Sequence, residues 1–373
     1  MTGLVFWIGA LGVIAPVTAR NYAAGGEFVL ITAHGGINFY IGNNRDATGW
    51  YHTPSRFEGT QEGLVNSGRA LAEADLGREL RHGEVSSYWF SKAWRFIRGN
   101  MGDAARLFAK KLYLFWNSYE KPLEGNYYYM KSISPLLRMV PIGFGLVAPF
   151  ALLGLLLLLP RWRERSGLLT LFALLCMATL VVFFVTSRYR LVALPFMLIA
   201  GAHAVWWCID RVRSRRWKSV AAALGLVAAV AIVSNSTLFG TEGHAESDLA
   251  YAHYSEGTLL LRRGENEAAI DCFERAVRFD DDIPFIYGNW GIALSNLDRH
   301  DDAIRVLDTF CRRWPGNPRA LYNLARSYYA LARSGRPGRA ELLAKAQRAL
   351  RACLSIDPGH QEARRLLAAC VSQ

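Results

Sequence analysis

Between residues 139 and 239 the chain holds four runs that contain no Asp, Glu, Lys or Arg, at 139–159, 167–187, 191–209 and 219–239. A helix needs about 20 apolar residues to cross a bilayer core, and each run has that length. In lipid, every backbone N–H and C=O must find its partner inside the segment, so runs of this kind are compatible with helix and little else. A soluble core would have to enclose all four on every side, which so short a stretch of chain cannot do. The sequence therefore predicts four membrane-spanning helices.

Their connections set an orientation, because basic residues in short loops stay on the cytoplasmic side. Arg161, Arg163 and Arg165 lie between the first two runs, and Arg211, Arg213, Arg215, Arg216 and Lys218 between the last two. Both loops are expected inside, which puts residues 187–190 outside. Residues 1–19 form a fifth uncharged segment, interrupted by Pro16. Val17 and Ala19 would suit a signal-peptide cleavage site, but no basic residue precedes the apolar stretch, and a retained span is the expectation. The N-terminus is then cytoplasmic, and residues 20–138 and everything after residue 240 are external.

The net charge of +12 fits this picture better than it fits a nucleic-acid protein. Residues 139–240 carry 10 basic and 2 acidic side chains, 19–138 carry 15 and 11, and 241–373 carry 18 of each. The excess sits where the chain is most apolar, which points to anionic lipid, and no nucleic-acid partner is expected.

From about residue 250 the pattern changes to amphipathic helices with a period of 34. Gly257, Gly291 and Ala325 are spaced by it, as are Ala269 and Ala303, with Phe273 and Leu307 four positions after those alanines. Small residues at such spacing let paired helices pack closely. The third unit shows the same marks, Ala346, Leu350, Cys353 and Pro358, after an insertion of nine residues around 334–342, and 361–371 looks like a terminal capping helix. The pattern resembles the tetratricopeptide repeat, an α-solenoid that binds peptides or proteins and does no chemistry itself.

Residues 20–138 are too long for a mere connector. They open with a strand-like stretch at 27–32 and run into His34, Gly35, Gly36, Ile37, Asn38, Phe39, Tyr40, Ile41, Gly42, Asn43 and Asn44. Glycines suit tight turns, while His34, Asn38, Tyr40, Asn43 and Asn44 offer neutral donors and acceptors for a sugar or lipid headgroup; an ordinary turn is the plainer alternative. Polar helices at 60–81, an aromatic segment at 85–97 and an amphipathic helix at 103–116 follow. In that last helix the aromatics are expected down in the interface, with Lys110 and Lys111 toward headgroups.

Three stretches, APVTARNYAAGGEFVLITAHGGINFYIGNN, KLYLFWNSYEKPLEGNYYY and SRYRLVALPFMLIAGA, occur in that order. Together they resemble the C-terminal half of bacterial integral-membrane glycosyltransferases of the GT-C class, related to protein mannosyltransferases and aminoarabinose transferases, some of which carry C-terminal tetratricopeptide repeats. The resemblance covers most of residues 1–240. It implies transfer of a sugar from a polyprenyl-phosphate carrier on the external face, with Arg188, Tyr189 and Arg190 near the carrier phosphate. Paired guanidiniums at headgroup level are chemically suited to that task. The family's catalytic base lies in an early external loop, several spans before anything this chain contains, so the chain begins at what looks like a late span. Within this chain, Glu120 is the residual candidate for a base.

The expectation is an all-α dominated fold: a polytopic transmembrane bundle of about five spans (1–19 and 139–240), a mixed external loop domain (20–138) and a C-terminal tetratricopeptide α-solenoid (241–373). The site is a bacterial inner (cytoplasmic) membrane. The expected partners are the bilayer, a polyprenyl-phosphate lipid and a protein or peptide. The function read from it is handling of a polyprenyl-phosphate sugar, the alternative being a non-enzymatic membrane-anchored repeat scaffold for the cell envelope. No Walker loop, dinucleotide fingerprint, HExxH or GxSxG is present, and the eight histidines lack ligand spacing. No metal or cofactor is therefore expected. A Cys353–Cys370 bridge is left open.

Overall fold

The computed structural model describes residues 2–29, 34–54, 57, 61–122, 126–139, 142–161, 163–239, 241–335 and 337–372. Among these the regular elements are helices, apart from an isolated bridge between Trp50 and Val185. In chain order they are α1 (Thr2–Gly25), α2 (Gly35–Gly42), α3 (Gln61–Leu76), α4 (His82–Gly99), α5 (Met101–Trp116), α6 (Tyr127–Ile133), α7 (Pro135–Arg138), α8 (Phe144–Leu158), α9 (Arg165–Val182), α10 (Ser187–Arg190), α11 (Leu194–Arg213) and α12 (Trp217–Ser234). Then come α13 (Thr241–Arg262), α14 (Asn266–Phe279), α15 (Pro284–Asn296), α16 (His300–Arg313), α17 (Pro318–Arg333), α18 (Arg339–Ile356) and α19 (Gln361–Val371). The chain divides into two compact units, Met1–Glu124 with Pro135–Thr241, and Gly125–Ser134 with Glu242–Gln373.

In the first unit, Phe144–Arg161 and Trp217–Ser234 are long and apolar enough to cross a membrane, and Ser166–Val182 is apolar but shorter. α11 runs beyond its apolar stretch into Asp210, Arg211 and Arg213. α8 and α11 pack through small residues. Ala148, Ala151, Ala200 and Ala204 are fully buried, and a Cβ on Gly154 would stand 1.8 Å from the Ala200 carbonyl oxygen. Such close backbone approach brings many atoms into dispersion contact.

In the segment expected as a mixed loop domain the regular elements among the described residues are helices, apart from the bridge at Trp50. Of the strand-like stretch, residues 27–29 are neither helix nor strand and 30–32 lie outside the described residues. The glycine- and asparagine-rich run is not a loop: Gly35–Gly42 is α2, packed on α4. Its glycines serve close approach rather than turning. A Cβ on Gly36 would lie 1.9 Å from the Ser86 carbonyl oxygen, and one on Gly42 would lie 1.7 Å from that of Phe183. Trp89, from the aromatic segment, is buried in a core with Ile37, Ile41, Leu64 and Val85.

α5 also turns differently from the expectation. Leu107, Lys111, Leu114 and Phe115 share one face by helical spacing and are buried, while Phe108 and Leu112 are exposed. Lys111 thus points inward, away from where headgroups were expected. α9 stops at Val182, five residues short of the uncharged run, because the chain is drawn aside: Val185 N–H donates to the Gly49 carbonyl at 3.0 Å, and the Thr186 side chain then caps α10.

The second unit stacks the pairs α13/α14, α15/α16 and α17/α18, closed by α19. The period of 34 has a physical basis. Gly257 lies against Phe273 and Gly291 against Leu307, where a Cβ would meet side-chain carbons at 2.7 and 2.5 Å. Phe273, Leu307, Ala269 and Ala303 are fully buried, and each large side chain so placed contributes about 1.5–3 kcal/mol. The turns repeat too: Gly264 and Asp298, 34 apart, both have positive φ, at 81° and 57°. Asp is among the few L-residues that adopt this conformation readily. In the third pair the inserted residues are spread out, α17 having 16 residues against 13 in α15, α18 having 18 against 14 in α16, and the turn covering 334–338 against 297–299.

Gly291→Val should therefore force apart α15 and α16. The expected loss is about 1–3 kcal/mol, the usual cost of overpacking a filled core, read from denaturant unfolding followed by circular dichroism. A loss below about 0.5 kcal/mol would mean that Leu307 swings aside freely.

Candidate functional sites

In the first unit, residues 117–121, 185–190 and 49–50 come together. Ser187 N–H donates to the Lys121 carbonyl (3.3 Å), and Trp50 lies buried beside Tyr119. Arg190 is 3% exposed. Its Nη1 donates to the carbonyls of Phe115 (3.1 Å) and Asn117 (2.6 Å), its Nη2 is 2.8 Å from Glu120 Oε2, and its guanidinium stacks 3.6 Å from the Phe144 ring centroid. Two residues proposed from sequence for separate tasks are thus joined as an ion pair. Arg188 and Tyr189 are exposed on α10, so the two arginines do not face the same surroundings.

The polar residues of α2 divide similarly. His34 is exposed, Asn38 is half-buried, and Tyr40 packs on Trp89 with ring centroids 4.6 Å apart. Asn43 and Asn44 are buried and turned inward. Asn43 Nδ2 donates to the Phe39 and Val182 carbonyls, both at 2.9 Å, and Asn44 Nδ2 to that of Tyr40 at 2.8 Å. They close the end of the helix and fasten it to α9, which leaves little of either side chain for a ligand.

Lys111 completes this cluster and was missed as a site residue. It is 1% exposed, and its Nζ donates to Asn43 Oδ1 at 3.0 Å. With an amide rather than a carboxylate beside it, burial lowers its pKa to about 7. The sequence signal was its place four residues after Leu107 and four before Phe115, on the apolar stripe. Among the described residues no group of three or more His, Cys, Asp or Glu could hold a metal ion.

In the second unit, a groove of about 310 Å³ opens between α14, α15 and α16. Glu274, Tyr287, Trp290, Arg299, Asp302 and Arg305 line it. Asp302 is held by Arg299 and Arg305, which keep its carboxyl below the ordinary range. Trp290 Nε1 is buried and has no hydrogen-bond partner among the described residues. A buried indole N–H in that condition is uncommon. Elsewhere in the solenoid, Asn289 Nδ2 donates to Thr258 Oγ1 at 3.1 Å, linking α15 to α13. All six cysteines are free thiols; Cys353 and Cys370 are buried in one apolar cluster without a bridge.

Residues 250–283 match the family model of the tetratricopeptide repeat. No curated protein matches the chain. Among solved structures, the chain is similar to the first tetratricopeptide domain of Spaghetti (RPAP3) bound to an HSP90 peptide, with 19% identity, 34% of this chain and 93% of that one covered, and a TM-score of 0.31. It is similar also to the first tetratricopeptide domain of human RPAP3, with 18% identity, coverage of 33% and 91%, and a TM-score of 0.30.

Proposed function

We propose that this chain is a membrane-anchored tetratricopeptide protein that holds a protein partner by a peptide segment. The observation that carries the reading is the groove between α14, α15 and α16, lined by residues of the first two repeat pairs. Its lining sets the rings of Tyr287 and Trp290 beside the polar Glu274, Arg299, Asp302 and Arg305, a mixture suited to the side chains and backbone of an extended segment. Repeats of this type are used as binding surfaces, and the first two pairs of the second unit keep their register of 34.

The anchor is the first unit, with α1, α8, α9, α11 and α12 as five spans, the N-terminus inside the cytoplasmic membrane of a bacterium and the solenoid external. Exposed apolar side chains support it: Leu168, Leu171 and Leu175 on α9, Ile199 and Trp206 on α11, and Ile232 on α12 are 53–73% exposed. Such a surface asks for lipid rather than water.

Affinity capture from detergent-solubilised membranes tests the binding role. A partner retained by the wild type should be lost on deleting residues 251–373, and its affinity should fall about tenfold in Thr309→Trp, which places a large side chain in the groove. Equal capture by all three chains would refute the reading.

A second reading, handling of a polyprenyl-phosphate sugar, is favoured by the exposed Arg188 and Tyr189 at the head of α11 within the resemblance to GT-C glycosyltransferases. Transfer of radiolabelled sugar from polyprenyl phosphate, abolished in Arg188→Ala, would establish it. No transfer by correctly inserted protein would leave the scaffold role alone.

A further inference from the structure

A solenoid's first helix pair has one face that no preceding repeat covers. In this chain that face is met by α6, a segment far upstream in sequence that belongs to the same compact unit as the repeats. Asn126 caps α6, accepting from Tyr129 N–H at 3.0 Å, and so sets the direction of the Tyr129 side chain. The Tyr129 ring meets His253 edge-on, with centroids 5.1 Å apart and planes at 90°. His253 in turn stacks flat on Phe279 at 5.6 Å. The Tyr129 hydroxyl lies beside Glu256, whose carboxylate adds to burial in raising the hydroxyl's pKa, and the same carboxylate accepts from the Cys272 thiol at 3.3 Å. Buried, and beside that carboxylate, the Cys272 thiol is pushed up to about 12.

We infer that α6 is the solenoid's N-terminal cap, latched by Tyr129 onto the pair α13/α14. Two separate contacts define the latch: an aromatic one, through His253 to Phe279, and a polar one, through Glu256 to Cys272. At that end of the solenoid His253 is 9% exposed, and Cys272, bonded to Glu256 and lying against Gly257, is 6% exposed. The cap fixes residues 126–133 to the repeats and closes the end at which a second copy of the solenoid could otherwise stack. A cap supplied from so far upstream also makes the order of the first repeat depend on the chain before the four apolar runs.

Cys272 reports on the latch and Cys353, buried in the third pair, serves as an internal reference. The experiment is alkylation of the full chain in detergent micelles by N-ethylmaleimide, followed cysteine by cysteine by mass spectrometry. In Tyr129→Ala, Cys272 should react about tenfold faster than in wild type, as expected for a local opening made easier, while Cys353 is unchanged. Tyr129→Phe keeps the ring on His253 and should fall between the two. An unchanged Cys272 rate in Tyr129→Ala would overturn the proposal. So would an equal rise at Cys353, because the effect would then be global unfolding and not the loss of a cap.

Discussion

Arg190→Ala is expected to destabilise the first unit by about 3–5 kcal/mol, the cost of breaking a buried ion pair from one side. The substitution strands the Glu120 carboxylate, which is three-quarters buried, and removes the donor from two carbonyls at once. It also leaves the face of Phe144 without its cation. Glu120→Gln should cost less, since the amide oxygen can still accept from the guanidinium. Denaturant unfolding of the detergent-solubilised protein, with the double variant completing a cycle, would give the coupling energy. A loss under about 1 kcal/mol would place the pair with surface ion pairs and remove its structural role. The result bears on function as well. Because Arg190 holds the fold, sugar transfer lost in Arg190→Ala is ambiguous, and Arg188→Ala is the informative variant.

The second large effect is a pH dependence. Lys111 titrates near pH 7 in the folded protein, well below the ordinary lysine value near 10.4 that it recovers on unfolding. Between those values the unfolded chain binds the extra proton, so stability rises with pH. The slope approaches about 1.4 kcal/mol per pH unit, and the gain is lost again as pH falls toward 7. Lys111→Met, of similar length and without charge, should flatten the dependence between pH 7 and 10 and leave the unit at least as stable at pH 7. Parallel slopes for wild type and variant would show that the ammonium finds water or a counter-charge.

The sequence shows periodic features well. The small residues at 257, 291 and 325 mark the helix pairs because they answer to contacts 16 residues away on the next helix, Gly257 with Phe273 and Gly291 with Leu307. The helix at 361–371 is legible for the same reason: its amphipathic spacing is local. The glycines of α2 are misleading. Gly36 and Gly42 are small because of Ser86 and Phe183, and nothing near them in sequence says so. A glycine- and asparagine-rich run then looks like a turn.

The candidate site shows the same division. Glu120 and Arg190 could each be singled out, but their pairing depends on a 70-residue excursion of the chain through α8 and α9. Lysine on an amphipathic helix usually reaches the headgroups, and by that rule the sequence alone puts Lys111 there. What turns it inward is Asn43, which lies 68 positions earlier and was itself read as a ligand-binding residue.

The packing of α6 on the repeats has a topological consequence. Residues 125–134 and 242–373 are parts of one compact unit, so they share one side of any bilayer that the intervening helices cross. The crossings of such a bilayer between them must then be even in number. Two crossings or four are allowed, and one or three are not, whatever the loop arginines suggest. This parity argument is independent of charge, and reporters fused within 126–133 and after residue 372 would have to give the same sidedness.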